Sequence, residues 1–351
     1  MSGLLIFPIL LPLAGGVIAI LVKKDPQRSL QLVLISAGLH TLTSGLLVCH
    51  VHHNGILATQ IGNWPAPFGI TLVADHLSAV LVMITALVNL AVTFYSKVDI
   101  DAALIGRGYY PLLQMLVCGI CGAFLTGDIF NLYVWFEVML IASFGLLVLG
   151  QSKSQLDGGV KYVVINLLST LLFIAGIGLL YGLTGTLNLA DLHAKVPLIA
   201  NRGLLTAVAM LFLAAFGIKA ALFPLFFWLP ASYHTPPVAV AAIFSGLLTK
   251  VGIYALVHVT FSLAVGAGVI VAPVTPAAGK GTWAPSCVSD TTWVTIKVFR
   301  RVRRLRFPVT APPSSLRVGA TSGLVDWRAG MRPKKRPAAA ETSPVKRRTD
   351  P

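Results

Sequence analysis

The chain has 351 residues, 56% of them hydrophobic and 11% charged, with a formal net charge of +15 and a mean hydropathy of +0.82. Such a balance excludes an ordinary soluble globule, and repeated apolar runs near 20 residues define a polytopic membrane protein. The positive charge is misleading as a nucleic-acid signature, because residues 1–278 hold 11 Lys/Arg against 8 Asp/Glu while residues 279–351 hold 16 against 4.

Eight apolar spans are predicted, at about 3–22, 30–50, 70–96, 109–126, 130–150, 160–182, 203–229 and 237–262. The first lacks a positive leader, and Lys23, Lys24 and Arg28 follow its apolar run, so it is expected to be retained rather than cleaved. Alternate loops carry Lys23, Lys24, Arg28, Lys97, Arg107, Lys153 and Lys161, whereas the opposite loops carry Lys195 and Arg202. The positive-inside bias therefore predicts a cytoplasmic first loop and an N-terminus outside. Asp75 and His76 are expected at the interface and Asn89 between helices. Cys118-Gly-Ile-Cys121 lacks a second ligand pair, and its cysteines read as packing residues. His50, His52 and His53 have no companion cluster, so no metal site is expected.

Ionisable residues at membrane depth carry the functional signal, since hydrocarbon penalises them. Glu137 stands two turns into the fifth span and is the only glutamate before the C-terminal segment. Lys161 opens the sixth span, where snorkelling and a functional role are both open readings. Lys219 lies within the apolar run Leu213 to His234, five residues before Pro224. Proline has no N–H for the carbonyl of Ala220, so a helix break beside the lysine is predicted, open enough for water or for Lys219 to swing toward Lys250. Lys250 falls near the centre of the eighth span, with Tyr254 and His258 following at i+4 and i+8 on the same face. Groups that change charge inside hydrocarbon suit proton movement, with Glu137 modulating Lys219 and Lys250 receiving the proton. The competing reading is a set of structural ion pairs, against which two deep lysines facing one glutamate leave a charge over. No catalytic triad, phosphate loop or nucleotide fingerprint is present, so an ion transporter without cofactor is expected rather than an enzyme.

Four stretches carry a resemblance: Trp135-Phe-Glu137-Val-Met139, Gly217-Ile-Lys219 through Pro224 to Trp228-Leu-Pro230, Ala231-Ser-Tyr-His234-Thr-Pro-Pro237, and Leu247-Leu-Thr-Lys250-Val-Gly-Ile-Tyr254. With them, residues 1 to about 263 resemble the antiporter-like membrane subunits shared by Mrp-type cation/proton antiporters and complex I. The resemblance implies that Glu137 pairs with Lys219 on a broken seventh helix. It also implies that Lys250 links toward a central polar axis and that His234 lies near that axis. It implies partner subunits in a hetero-oligomer and protons and Na+ or K+ as cargo, and the cell's inner (plasma) membrane is the expected location. The fold expected is all-α, with helices 1–3 in residues 1–108 and one five-helix repeat, helices 4–8, in residues 109–263. Family members have a second, inverted repeat that this sequence lacks. From residue 264 the sequence turns to Ala, Gly, Pro and Arg, as in Arg300-Arg-Val-Arg-Arg-Leu-Arg306. A disordered, truncated or frame-shifted basic tail is expected there, with a basic arm for anionic lipid or nucleic acid as the alternative. A redox-linked proton pump subunit and a non-transporting remnant are the other functional readings.

Overall fold

The structure, a computed structural model, describes residues 2–261 and Leu263. The expected basic tail, with Cys287, lies outside the described residues. A 3₁₀ turn at Ser2–Leu5 leads into α1 (Phe7–Leu21) and α2 (Pro26–Asn54). Strands β1 (Leu57–Gln60) and β2 (Thr71–Ala74) pair antiparallel, with Leu57 opposite Ala74. There follow α3 (His76–Asp99), the short α4 (Ala102–Gly106), α5 (Tyr109–Leu125), α6 (Ile129–Val148) and α7 (Lys153–Thr184). After α8 (Leu189–Lys195) and α9 (Arg202–Lys219) come α10 (Trp228–Tyr233) and α11 (Val238–Ile243). A π-helical turn at Phe244–Leu248, α12 (Thr249–Ala255) and a second π-helical turn at Leu256–Phe261 complete the described chain.

Six helical segments are long and apolar enough to cross a membrane, the last being the composite Val238–Thr260. The helices α1 and α5 are shorter apolar helices of 15 and 17 residues. Fifteen residues rise about 22 Å, less than a hydrocarbon core of about 30 Å. Two expectations are corrected in detail. The third span is expected from residue 70, but Thr71–Ala74 is a strand and the helix starts at His76. The seventh is expected through residue 229, but its helix ends at Lys219. The small hairpin is also an addition to an otherwise helical fold.

The polar residues between spans stop and start helices. Asp25 accepts from the Arg28 amide, with Pro26 pre-set for the first turn. Asp75 and Ser78 form a capping box at α3, with bonds of 2.7 and 2.9 Å. Asp128 caps α6 through the Asn131 amide, Ser152 and Gln155 box α7, and Asn201 caps α9 through the Leu204 amide.

Around these ends the bundle is tied by backbone bonds. At one end the Gly127 amide donates to Thr71 O at 2.8 Å, and Ile129 N donates to Leu187 O at 2.9 Å. Asn188 Nδ2 adds a bond to Thr71 Oγ1 at 2.8 Å. These bonds join the hairpin to the α5–α6 and α7–α8 turns. Elsewhere, Ala239 N donates to Asp99 Oδ2 and Gln155 Nε2 to Thr235 O, fixing the α10–α11 segment to the end of α3 and the start of α7. Between the ends, α1 packs on α2 and α5, α2 on α3, α5 on α6, α6 on α7, and α7 on α9 and α10. Ile141, Leu171 and Phe94 are exposed on the outside of the bundle, as in a fold solvated by lipid.

Candidate functional site: Lys219 at a helix end inside the bundle

Lys219 is the last residue of α9 and is buried at 6% exposure. The helix stops there for a local reason. Ala221 takes the left-handed conformation, φ 54°, its amide donates to Ile218 O at 3.1 Å, and the Leu222 amide donates to Gly217 O at 2.9 Å. These two reversed bonds are a Schellman cap, with alanine where glycine is usual. Trp228 Nε1 donates to the same Ile218 O at 3.0 Å, so the first side chain of α10 closes the cap from the other side of the break. The expected break is therefore present, and its form is a tightly capped end rather than a loosened helix. Pro224 lies five residues beyond the helix end, in the turn toward α10.

A small hollow opens at the lysine, lined by Phe136, Met139, Leu140, Tyr162, Asn166, Lys219, Trp228 and Leu248. Lys219 Nζ sits 4.7 Å from the centroid of the Phe136 ring. Phe136 in turn stacks with Phe216 and meets Phe173 edge-on. The other wall is polar: Tyr162 OH lies 2.6 Å from Ser143 Oγ, and Asn166 Nδ2 donates to Tyr162 O at 2.9 Å. Glu137 follows Phe136 on α6, is half-buried, and accepts at Oε1 from Thr170 Oγ1 of α7 at 2.7 Å. Glu137 and Lys219 are within electrostatic range of each other, yet form no ion pair within 4.0 Å among the described residues.

The remaining predicted residues lie apart from this pair. Lys250 is exposed just after the first π-helical turn, where its Nζ donates to Ser245 O. No side-chain hydrogen bond or ion pair joins it to Lys219 or Tyr254 among the described residues. Its helix nevertheless touches the break, because a Cβ on Gly252 would stand 2.6 Å from Ala220 N and 2.8 Å from Lys219 C. Tyr254 and His258 do stack, with ring centroids 4.2 Å apart, and Tyr254 OH donates to Phe124 O at 3.0 Å. Asp75, the α3 cap, is within electrostatic range of both. The line along one helix face thus holds for Tyr254 and His258, while Lys250 points elsewhere. His234 is exposed at the C-cap of α10, its Nδ1 2.5 Å from Pro230 O. Lys161 pairs with Asp157 at 2.7 Å on an exposed i,i+4 step, which favours its surface reading.

Sequence reasoning missed Phe136, Tyr162, Trp228 and Gly252 as parts of the site. Trp228 and Phe136 stand inside the motifs that carry the resemblance, but nothing in their spacing announces a cap or a ring beneath an ammonium group.

The fold is thus an all-α polytopic membrane bundle with a capped helix end, a buried lysine there and a glutamate on a neighbouring helix. Residues 126–276 match the family described as NADH:quinone oxidoreductase/Mrp antiporter, transmembrane region. The chain is 47% identical over 265 residues to the D subunit of the Na(+)/H(+) antiporter of Alkalihalophilus pseudofirmus, covering 75% of this chain and 53% of that protein. It is 44% identical over 259 residues to the Bacillus subtilis protein of the same name, covering 74% and 52%. A chain in the structure of the Mrp complex from Dietzia superposes with a TM-score of 0.66 at 31% identity, covering 73% of this chain and 48% of that one. The chain thus spans about half the length of the curated relatives it matches. Both of these relatives are D subunits.

Proposed function

We propose that the chain serves as a D-type membrane subunit of a multisubunit monovalent cation/proton antiporter, and that Lys219 is the residue that takes up and releases the proton. The observation that carries this reading is a lysine buried at a capped helix end, facing a hollow, with a carboxylate in range but no ion pair. A lysine at the middle of a membrane helix costs about 3 kcal/mol on insertion scales. At a buried site the Phe136 ring returns about 2 kcal/mol, and the negative end of the α9 dipole about 0.5–1 kcal/mol more. These contacts offset much of that cost without an ion pair among the described residues, which suits a group that changes its charge. Glu137, held by Thr170, is the fixed countercharge whose influence Lys219 feels without being locked by it.

Within this reading, residues 109–263 form one five-helix repeat, residues 1–108 precede it, and the N-terminus faces outside. The location is the plasma membrane, with other antiporter subunits as partners. Lys250, beside a π-helical turn of the kind often found at functional positions, is the next proton acceptor in this reading once its side chain leaves Ser245 O, with His258 and His234 as further candidates. A redox-driven pump subunit would share the same residues, but the relatives at 44 and 47% identity carry antiporter names, which favours antiport.

Everted vesicles carrying this chain with its partner subunits test the proposal by cation-dependent proton flux. Lys219→Ala and Lys219→Arg should both abolish flux with assembly intact, because arginine keeps its proton. Flux retained by either variant rejects Lys219 as the carrier. Absence of flux with this chain, where a longer relative in the same complex gives it, supports the non-transporting reading.

A further inference from the structure

A second group of buried polar side chains lies away from Lys219, in the seam between α2, α3 and α5. Asn89 of α3 accepts at Oδ1 from Gln114 Nε2 of α5 at 3.3 Å and from Thr93 Oγ1 at 3.4 Å. Ser96, one turn on, contacts Tyr110 OH at 3.2 Å, and the Tyr109 ring packs edge-on against Tyr110 at 5.1 Å. In the other direction, a Cβ on Gly15 would collide with Ser36 Oγ and lie 3.8 Å from Gln114 Oε1, which places Ser36 beside the amide. Ser36 and His40 are one turn apart on α2, and so share a face. His40 Nε2 is 3.5 Å from Cys121 Sγ. A polar line therefore runs from the Asp99 end of α3, past the amide pair, to a fully buried histidine fourteen residues into α2.

The line is under-satisfied. Nine buried side-chain polar atoms have no hydrogen-bond partner among the described residues, and six of them lie on these three helices: Ser29 Oγ, His40 Nδ1, Ser44 Oγ, Asn89 Nδ2, Tyr109 OH and Gln114 Oε1. Each such group loses its hydration on burial and gains nothing in return, and together the losses would be large beside the net stability of a fold. The set includes an amide donor, an amide acceptor and three hydroxyls that can do either, which bridging water satisfies and apolar packing cannot. The elements around His40 bring no carboxylate level with it: α1 has no ionisable residue, α5 carries Cys118, Cys121, Tyr109 and Tyr110, and α3 carries His76 at one end and Tyr95, Lys97 and Asp99 toward the other, whereas Thr41 beside His40 meets Ala86.

We propose that the α2–α3–α5 seam is a water-filled proton path that brings the His40 ring into proton exchange with solvent at the Asp99 end. The path is separate from the Lys219 site, and its hydration stands whether or not Lys219 carries the transported proton. The ring N–H gives its proton to seam water as that water supplies another, so the exchange balances without any further reactant.

The test is solid-state NMR of the ¹⁵N-labelled chain in its assembled complex in bilayers, followed after transfer to D₂O. The resonance lost in His40→Gln identifies the ring. Its N–H signal should disappear at least tenfold faster than the intrahelical amides of α5. Retention of the ring proton alongside those amides overturns the proposal. Asn89→Leu combined with Gln114→Leu should slow the exchange at least tenfold, and unchanged exchange overturns the assigned route. If the double variant does not assemble, Gln114→Met provides the same reading with nearly the same volume.

Discussion

At Lys219 the decisive features are small and local. Ala221 occupies a left-handed conformation that costs a non-glycine residue about 1 kcal/mol, and the Schellman cap depends on it. Ala221→Gly should therefore raise stability by about 1 kcal/mol, read as a higher thermal midpoint of the solubilised complex, with flux preserved. Thr170→Val replaces the hydroxyl that donates to Glu137 Oε1 with an isosteric methyl. A hydrogen bond to a charged group contributes about 1.5–3 kcal/mol, so Thr170→Val should lower proton flux about tenfold while the complex still assembles. Flux at the wild-type level would show that the orientation of Glu137 is unimportant.

At the scale of elements, the broken segment is held by its neighbours rather than by itself. Trp228 caps α9 from α10. Gly158 admits α10 to the face of α7, where a Cβ would collide with Ala231 O. Gly252 admits α12 to the backbone at the break in the same way. Backbone that close cannot yield as a side-chain tip can, so overpacking there should cost about 1–3 kcal/mol. Gly252→Leu is expected to lower the thermal midpoint and reduce flux, because the displaced atoms are those of Lys219 and Ala220. Retained flux with a lower midpoint would separate packing at the break from placement of the lysine.

Over the whole molecule, the interlocked turns at the hairpin end hold one buried carboxyl through which pH acts on the fold. Asp128 lies outside the spans, where burial pushes its carboxyl above the usual range and the Asn131 and Phe130 amides oppose that rise. A carboxyl raised in the fold binds more protons there than in the unfolded chain, so this group makes the fold less stable as pH rises through its titration. Asp128→Asn keeps an oxygen for the Asn131 amide and removes the titration. The variant should show a flatter stability–pH profile from acid to neutral pH in thermal unfolding, whereas a slope equal to wild type would assign the effect elsewhere.

Much of this architecture is legible in the sequence for a physical reason. A bilayer demands long apolar runs and makes each buried charge conspicuous, so the spans, Glu137, Lys219 and the interruption before Pro224 stand out from composition and spacing. The family motifs add which residues belong together. Tertiary structure decided what periodicity cannot encode. Lys250 and Tyr254 share a helix face by count, but the lysine side chain turns back to Ser245 O while Tyr254 OH donates to Phe124 O. His234 lies in a motif, yet its ring turns back onto its own helix. The cap at Ala221 carries no glycine to announce it, and the ring beneath Lys219 is supplied by another helix. His40, Asn89 and Gln114 are ordinary single polar residues in three separate spans, and only the packing of α2, α3 and α5 gathers them into one under-satisfied seam. Sequence determined which groups must be inside the membrane, because solvation is a property of each residue. Which of those groups meet depended on the side chains of other helices, and the fold alone settled that.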